Sequence, residues 1–352
     1  MKNIKRKILL VSPYLDILGG GEQHIFSILK IFDKQGYESN IVWKDSDILS
    51  RLNKIHNINF DNAQVIPSVP LMKDYDYCLY VTDGSYFFSN AKHKYAFYMY
   101  PKKEITPDTF VKKLKTIGWS FFANGEFTAE KMETITGKHI EVIHPFIDEQ
   151  FFDVRKKKEK LIISVGRFFP HLHSKRQDVL IDAFSALQER ESRFKEYSLL
   201  LIGGLTDKVE DKEFFAMLQK KKGNNPSIIF KTNARQEELL SEYHSASIYW
   251  HAGGYGLDED KNPEGVEHLG ITPLQGMAAG AVTMCHNSGG PRRYIKSGVN
   301  GLLYDTTDDL VQHTIALNNS SMQGMREKGV EYVKNNFSLE IFEKTVVDYF
   351  KL

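Results

Sequence analysis

VRKKKEKLIISVGR, residues 154–167, decides how this chain divides. A charged stretch gives way to an apolar run, Leu161 to Val165, of the kind that forms a strand buried on both faces, and a glycine and an arginine close it. The same opening stands at the front of the chain. Lys7 to Ser12 (KILLVS) is followed by Gly19, Gly20 and Gly21, and then by Ile25, Phe26, Ile28, Leu29 and Phe32 at helical spacing before Gly36. Working outward, strands are expected at 40–43, 77–81, 95–99 and 141–144 in the first half. In the second half they are expected at 161–166, 198–202, 227–230 and 247–250, with helices over 175–190 and 236–245. Alternation of this sort predicts an α/β chain of two Rossmann-like, doubly wound lobes facing a central cleft. At 352 residues the chain is too long for one comfortable core. The expected division is a first, acceptor-side domain over 1–155, a second over 156–335, and a last helix over 336–352 that packs back on the first lobe.

Composition excludes more than it identifies. With 46 basic and 45 acidic side chains the net charge is +1, which gives no ground for a nucleic-acid partner. Cys78 and Cys285 lie far apart in apolar stretches and are expected to be buried thiols of a protein of the reducing cytoplasm. The basic and then apolar start, MKNIKRKILLVSPYLDILGG, is interrupted by Asp16 and followed by no small-residue cleavage site, so it is read as the first strand. No run of eighteen apolar residues is present.

Two segments carry helix-start signals beside charge. In GVEHLGITPLQGMAAG, residues 265–280, Thr272 is placed as an N-cap, Pro273 in the first turn and Gln275 as the closing member of a capping box, so GVEHLG precedes a helix N-terminus that suits an anion. Ser174 to Gln177 has the same spacing and would set Lys175 and Arg176 in a first turn, where cations are disfavoured by roughly 0.3 to 1 kcal/mol unless an anion binds. Arg167 leaves the preceding strand toward that loop. Together these groups make a diphosphate clamp at strand C-termini. His171 and His173 in a polar loop, and Asp258 and Asp260 in LDEDKNPEG, are read as solvated surface rather than metal ligands.

Five segments in order, LGGGEQHIFSILKIFDKQGYE (18–38), FFANGEFTAEKM, VIHPFID, SVGRFFPHLHSKRQDVLIDAF (164–184) and the block 246–304, resemble the family 4 retaining glycosyltransferases of GT-B fold. The resemblance implies that Arg167 and Lys175 hold a donor diphosphate and that Glu267 holds hydroxyls of the transferred sugar. It implies further that the backbone at Leu269, Gly270 and Ile271 faces the donor, and that the loop around Asn233 and Ala234 borders the nucleobase. Gly20 and Gly21 would let backbone approach the diphosphate. Where the family has a second acid on the ribose this chain has Gln275, near a usual acid it has Arg293, and in place of a frequent histidine it has Met99. The implied activity is transfer from a nucleotide-diphosphate sugar to a glycan or lipid-linked acceptor, with no cofactor and no metal. A binding protein without turnover is the alternative. Lys92, Lys94, Lys102, Lys103, Lys112, Lys113 and Lys115 among Phe87, Phe88, Tyr95, Phe97, Tyr98 and Tyr100 suggest peripheral contact with an anionic membrane at its cytoplasmic face.

Overall fold

The computed structural model describes residues 6–352 apart from Ile17, Leu71, Leu172 and His173. It divides into two units, Met1–Phe146 with Glu340–Leu352, and Ile147–Leu339.

In the first unit the chain runs β1 (Lys7–Val11), α1 (Gly20–Lys34), β2 (Glu38–Val42), α2 (Ile48–His56), β3 (Ala63–Ile66), β4 (Tyr77–Val81), β5 (His93–Tyr98), α3 (Phe110–Lys115), β6 (Trp119–Ala123), α4 (Glu126–Thr136) and β7 (Glu141–Val142). Among the described residues these strands form a seven-stranded sheet in the order β3-β2-β1-β4-β5-β6-β7, parallel throughout. The run expected at 141–144 contributes a two-residue edge strand only. β4 is buried at every position, as a central parallel strand requires.

The second unit repeats the winding. It contains β8 (Glu159–Val165), α5 (Gln177–Arg190), β9 (Ser198–Gly203), α6 (Val209–Lys222), β10 (Ile228–Thr232), α7 (Gln236–Ser245), β11 (Ala246–His251), α8 (Ile271–Ala278), β12 (Val282–His286), α9 (Pro291–Tyr294), β13 (Leu302–Tyr304), α10 (Thr307–Ala316) and α11 (Asn319–Phe337). The sheet order is β10-β9-β8-β11-β12-β13, again parallel. Side chains alternate between two cores: Ile162, Leu199, Leu201, Ile248 and Trp250 face one set of helices, while Leu161, Ile163, Leu200, Ile202 and Tyr249 face the other. In both sheets the winding reverses between two adjacent strands, β1 and β4 in the first, β8 and β11 in the second. Ligands of such sheets bind beyond the carboxyl ends of the strands at that reversal.

Two boundaries differ from the sequence expectation. The first division falls after Phe146 rather than at 155, because Ile147 and Phe151 are built into the core of the second unit before the charged stretch begins. The second falls after Leu339, since α11 continues to Phe337. The last helix, α12 (Leu339–Phe350), sets Phe350 against Phe32, Tyr95 and Phe122 at ring separations of 5.2, 4.6 and 5.9 Å. Of the aromatics grouped with the lysines, Tyr95, Phe97 and Tyr98 are buried in β5 and unavailable to any surface.

Candidate active site

Gly166, just past β8, leaves room for the Lys175 side chain to cross it: a Cβ on Gly166 would stand 2.3 Å from Lys175 Cγ. Gln177, the first residue of α5, donates from Nε2 to the carbonyls of Gly166 and Arg167 at 3.1 Å each, tying the loop to the strand end. The capping box expected over Ser174–Gln177 does not form. Arg176 precedes the helix in the left-handed region at φ 48°, held by Asp178 at 3.0 Å through two nitrogens and by the Tyr255 carbonyl at 2.7 Å. Lys175 and Arg176 therefore stand outside the first turn, and Asp178 inside it suits the helix dipole.

Lys175 forms an ion pair with Oε2 of Glu267. The sequence reading missed the third member of this cluster, His251, whose Nε2 lies 2.9 Å from the same oxygen, a close polar approach without the alignment of a hydrogen bond. Glu267 Oε1 has no protein partner among the described residues, so it is the oxygen left to accept from a ligand hydroxyl. Burial opposes ionisation of Glu267, but the Lys175 ammonium and the His251 imidazole outweigh it and hold the carboxyl well below the usual carboxylate range. His251, the last residue of β11, is fully buried, and burial lowers its pKa against the pull of Glu267, which keeps the ring neutral.

The backbone of Glu267 is fixed as firmly. Its carbonyl accepts the Gly290 N–H at 2.7 Å, and a Cβ on Gly289, whose φ is +58°, would stand 2.1 Å from that oxygen. The Gly289 N–H donates to Glu259 at 2.6 Å, and Arg293 reaches the other Glu259 oxygen at 3.2 Å. Glu259 thus answers the charge of Arg293. In the sequence it is hidden in the acidic run LDEDKNPEG. Its neighbours Asp258 and Asp260 make a turn, Asp258 accepting the Asp260 N–H at 3.0 Å and pairing with Lys261 at 3.1 Å. No group of three or more His, Cys, Asp or Glu side chains arranged to hold a metal ion occurs among the described residues. His173 lies outside them.

Helix α8 begins at Ile271, and Thr272 is within its first turn rather than capping it. The capping position is Gly270 at φ +89°, with Glu267 Cγ and the Tyr294 hydroxyl too close to admit a side chain. The N–H groups of Ile271 and Thr272 have no carbonyl within the helix to reach, and Pro273 has none to offer. Leu269 is 3% exposed, so only its backbone can face a ligand. Gln275 is not part of a capping box: its Oε1 accepts the Tyr243 hydroxyl at 3.1 Å.

Arg167 is exposed, its guanidinium 4.6 Å above the Phe169 ring, with no carboxylate at ion-pair distance among the described residues. Asn233, after β10, holds Leu205 through both amide atoms at 3.0 and 3.1 Å and so shapes the loop after β9 rather than presenting its side chain. Ala234 is half-buried against the core. A Cβ on Gly204 would lie 3.7 Å from Arg167 and 3.9 Å from Asn233, which places these loops together. Lys175, His251 and Glu267 thus meet at the ends of β8 and β11, where the winding reverses, and Arg167 follows β8 on the side of the loops after β9 and β10. Gly20 and Gly21 belong to the first unit and open α1; the Met99 methyl fills the space a Gly21 side chain would need.

The family model for glycosyl transferases group 1 matches residues 146–336. The alpha-1,3/1,6-mannosyltransferase alg2 of Schizosaccharomyces pombe is 27% identical over 62% of this chain and 47% of its own length. The human GDP-Man:Man(3)GlcNAc(2)-PP-Dol alpha-1,2-mannosyltransferase is 26% identical over 68% of this chain and 53% of its own. The chain spans about half the length of these curated relatives. Among solved structures, a glycosyltransferase from Rickettsia africae superposes with a TM-score of 0.73 at 16% identity over 99% of this chain and 98% of that one. HepE of Anabaena with UDP-glucose gives 0.69 at 14% identity over 98% and 99%. At such identities the structural likeness speaks to the fold alone, which is GT-B. The family match covers more than half of the sequence and contains every residue of the β8–β11 cluster: the chain belongs to the glycosyl transferases group 1 family.

Proposed function

We propose that the chain is a retaining glycosyltransferase that moves mannose from GDP-mannose to a lipid-linked glycan at the cytoplasmic face of a membrane. The observation that carries this is the carboxylate of Glu267, gripped at one oxygen by Lys175 and His251 and open at the other, with the unpaired guanidinium of Arg167 at the same sheet edge. The choice of mannose, of GDP and of a lipid-linked acceptor rests on the names of the relatives.

In this reading the bond between the anomeric carbon and the diphosphate oxygen breaks, and negative charge grows on the leaving group. Arg167, Lys175 and the first-turn amides of α8 stabilise that charge, while Glu267 Oε1 accepts a sugar hydroxyl and fixes the ring. The acceptor hydroxyl attacks from the face the diphosphate leaves, and its proton passes to the departing phosphate oxygen, which retains the anomeric configuration. The scheme calls on no protein nucleophile and no metal.

Arg167→Ala and Lys175→Ala should each lower kcat about 10²- to 10³-fold, the scale of a lost charge-stabilising donor. Turnover at the wild-type rate in either variant would refute the clamp. A second reading, donor binding without turnover, is favoured by Gln275, whose amide oxygen is committed to Tyr243. Release of GDP from GDP-mannose by the wild-type chain separates the two, since a pure binder releases none.

A further inference from the structure

Helix α3 has no buried residue. Phe110, Val111 and Leu114 fall on one of its faces, and Ile117 follows one turn on, at exposures of 76, 56, 42 and 68%. These four stand within eight residues, although large exposed apolar side chains are usually scattered. Phe88, 70% exposed, belongs to the same end of the unit: its neighbour Phe87 packs at 5.6 Å against Trp119, two residues beyond Ile117. The face is ringed by cations. Lys113 and Lys115 are on the helix and Lys102 and Lys103 just ahead of it, none with a carboxylate partner among the described residues. Lys94 reaches the Ile117 carbonyl at 3.4 Å, and Lys138 lies close enough to Lys113 to be depressed by it, after burial. Of the nearby acids, Asp108 is neutralised by Lys112 at 3.0 Å, Asp83 is taken up by Tyr80 and Ser85 at 2.5 Å each, and Glu104 lies just ahead of the helix.

We infer that the α3 face is a docking surface for an anionic lipid bilayer, with Phe110, Val111, Leu114 and Ile117 entering the interface and Lys103, Lys113 and Lys115 meeting lipid phosphates. A short helix that turns apolar side chains to water and lysines to their flanks matches a surface that is apolar below and negative above. A protein partner would need acidic groups to answer these lysines without the apolar depth that four such side chains require. The inference deepens the proposed function, since a lipid-linked acceptor has to be met at a bilayer, but it is tested without donor or acceptor.

The test is sedimentation of the full chain with phosphatidylcholine vesicles and with vesicles in which phosphatidylglycerol replaces part of the phosphatidylcholine, at low and high salt. The chain should bind the anionic vesicles alone and be released by salt. Phe110→Ser with Ile117→Ser should weaken binding at least about 10-fold, and Lys113→Glu with Lys115→Glu by about 10-fold or more. Both double variants should keep the wild-type melting temperature, because the altered side chains are exposed. Binding that is absent, or unchanged in either double variant, overturns the inference. So does a wild-type dimer in sedimentation equilibrium that both variants abolish, since a second copy would then cover the face. Transfer to a water-soluble acceptor analogue should persist in all of these variants, so a failure of docking is distinguishable from a failure of the transferase reading.

Discussion

His251 shows how one side chain can set the aim of another. It shares Glu267 Oε2 with Lys175, and without it the carboxylate would be held from one side only. In a His251→Phe variant Glu267 should swing about the remaining ion pair. We expect kcat to fall about 10- to 100-fold, the scale of a lost contact to a charged group, with a smaller change in donor KM. His251→Gln, which keeps an N–H donor, should recover part of the loss. Equal damage from both substitutions, or a loss confined to thermal stability, would show that the ring only fills space. Lys175 and Glu267 were legible from charge and from the resemblance, 92 residues apart though they are. His251 was not, because a histidine closing the apolar strand SIYWH is indistinguishable by pattern from a core residue. Its meaning comes from strand order, which sets the end of β11 beside the end of β8. Glu259 was lost in the same way, one acid among several until its distances to Gly289 and Arg293 single it out.

Elements were readable where the period of their apolar residues was strong, as in β1, α1, β8 and β9, whose central positions are buried. Helix α6 offered little signal, since only Asp211 and Leu218 of it are buried. The starts of α5 and α8 misled because capping patterns are local while the contacts that decided these starts are not. Tyr243 claims Gln275, and Gly270 turns the chain where Thr272 was expected to. The tight element here is the pair Gly289–Gly290, which presses on the backbone of Glu267 and Leu269. Gly289→Ala should therefore displace Glu267 rather than merely strain a turn. A Cβ 2.1 Å from a backbone oxygen, at positive φ, is expected to cost at least about 1 to 3 kcal/mol in denaturant unfolding and to abolish most of the turnover. Gly298→Ala is the control: φ there is +79°, but nothing lies within 4 Å, so strain alone should leave activity intact.

At the scale of the whole chain, the restart at residue 161 was enough to foresee two sheets, and both carry the same strand order from β1 and from β8. The last helix, expected from the sequence to pack back on the first lobe, joins the first unit; which side chains it meets there is what the sequence does not show. α12 supplies Phe342 and Phe350 to a core begun by α1, and in doing so it helps to seal His24, whose ring lies 5.3 Å from Phe97 and 5.8 Å from Phe342. Neither ring nitrogen of His24 has a hydrogen-bond partner among the described residues, and burial, with a smaller push from His144, lowers its pKa to about 3. The His144 imidazole itself lies 3.0 Å from a Glu126 carboxylate oxygen. The folded unit therefore refuses a proton that the unfolded chain takes up near pH 6.5. Stability from this group is complete above that value and is lost as pH falls toward 3, by roughly 3 kcal/mol at about pH 4. His24→Phe, which keeps an aromatic ring between Phe97 and Phe342, should remove this acid sensitivity whatever it does to stability at neutral pH. The measurement is the free energy of unfolding at about pH 7 and pH 4 for both proteins. If the two lose equal stability between those pH values, acid acts elsewhere and the sealed imidazole is not its target.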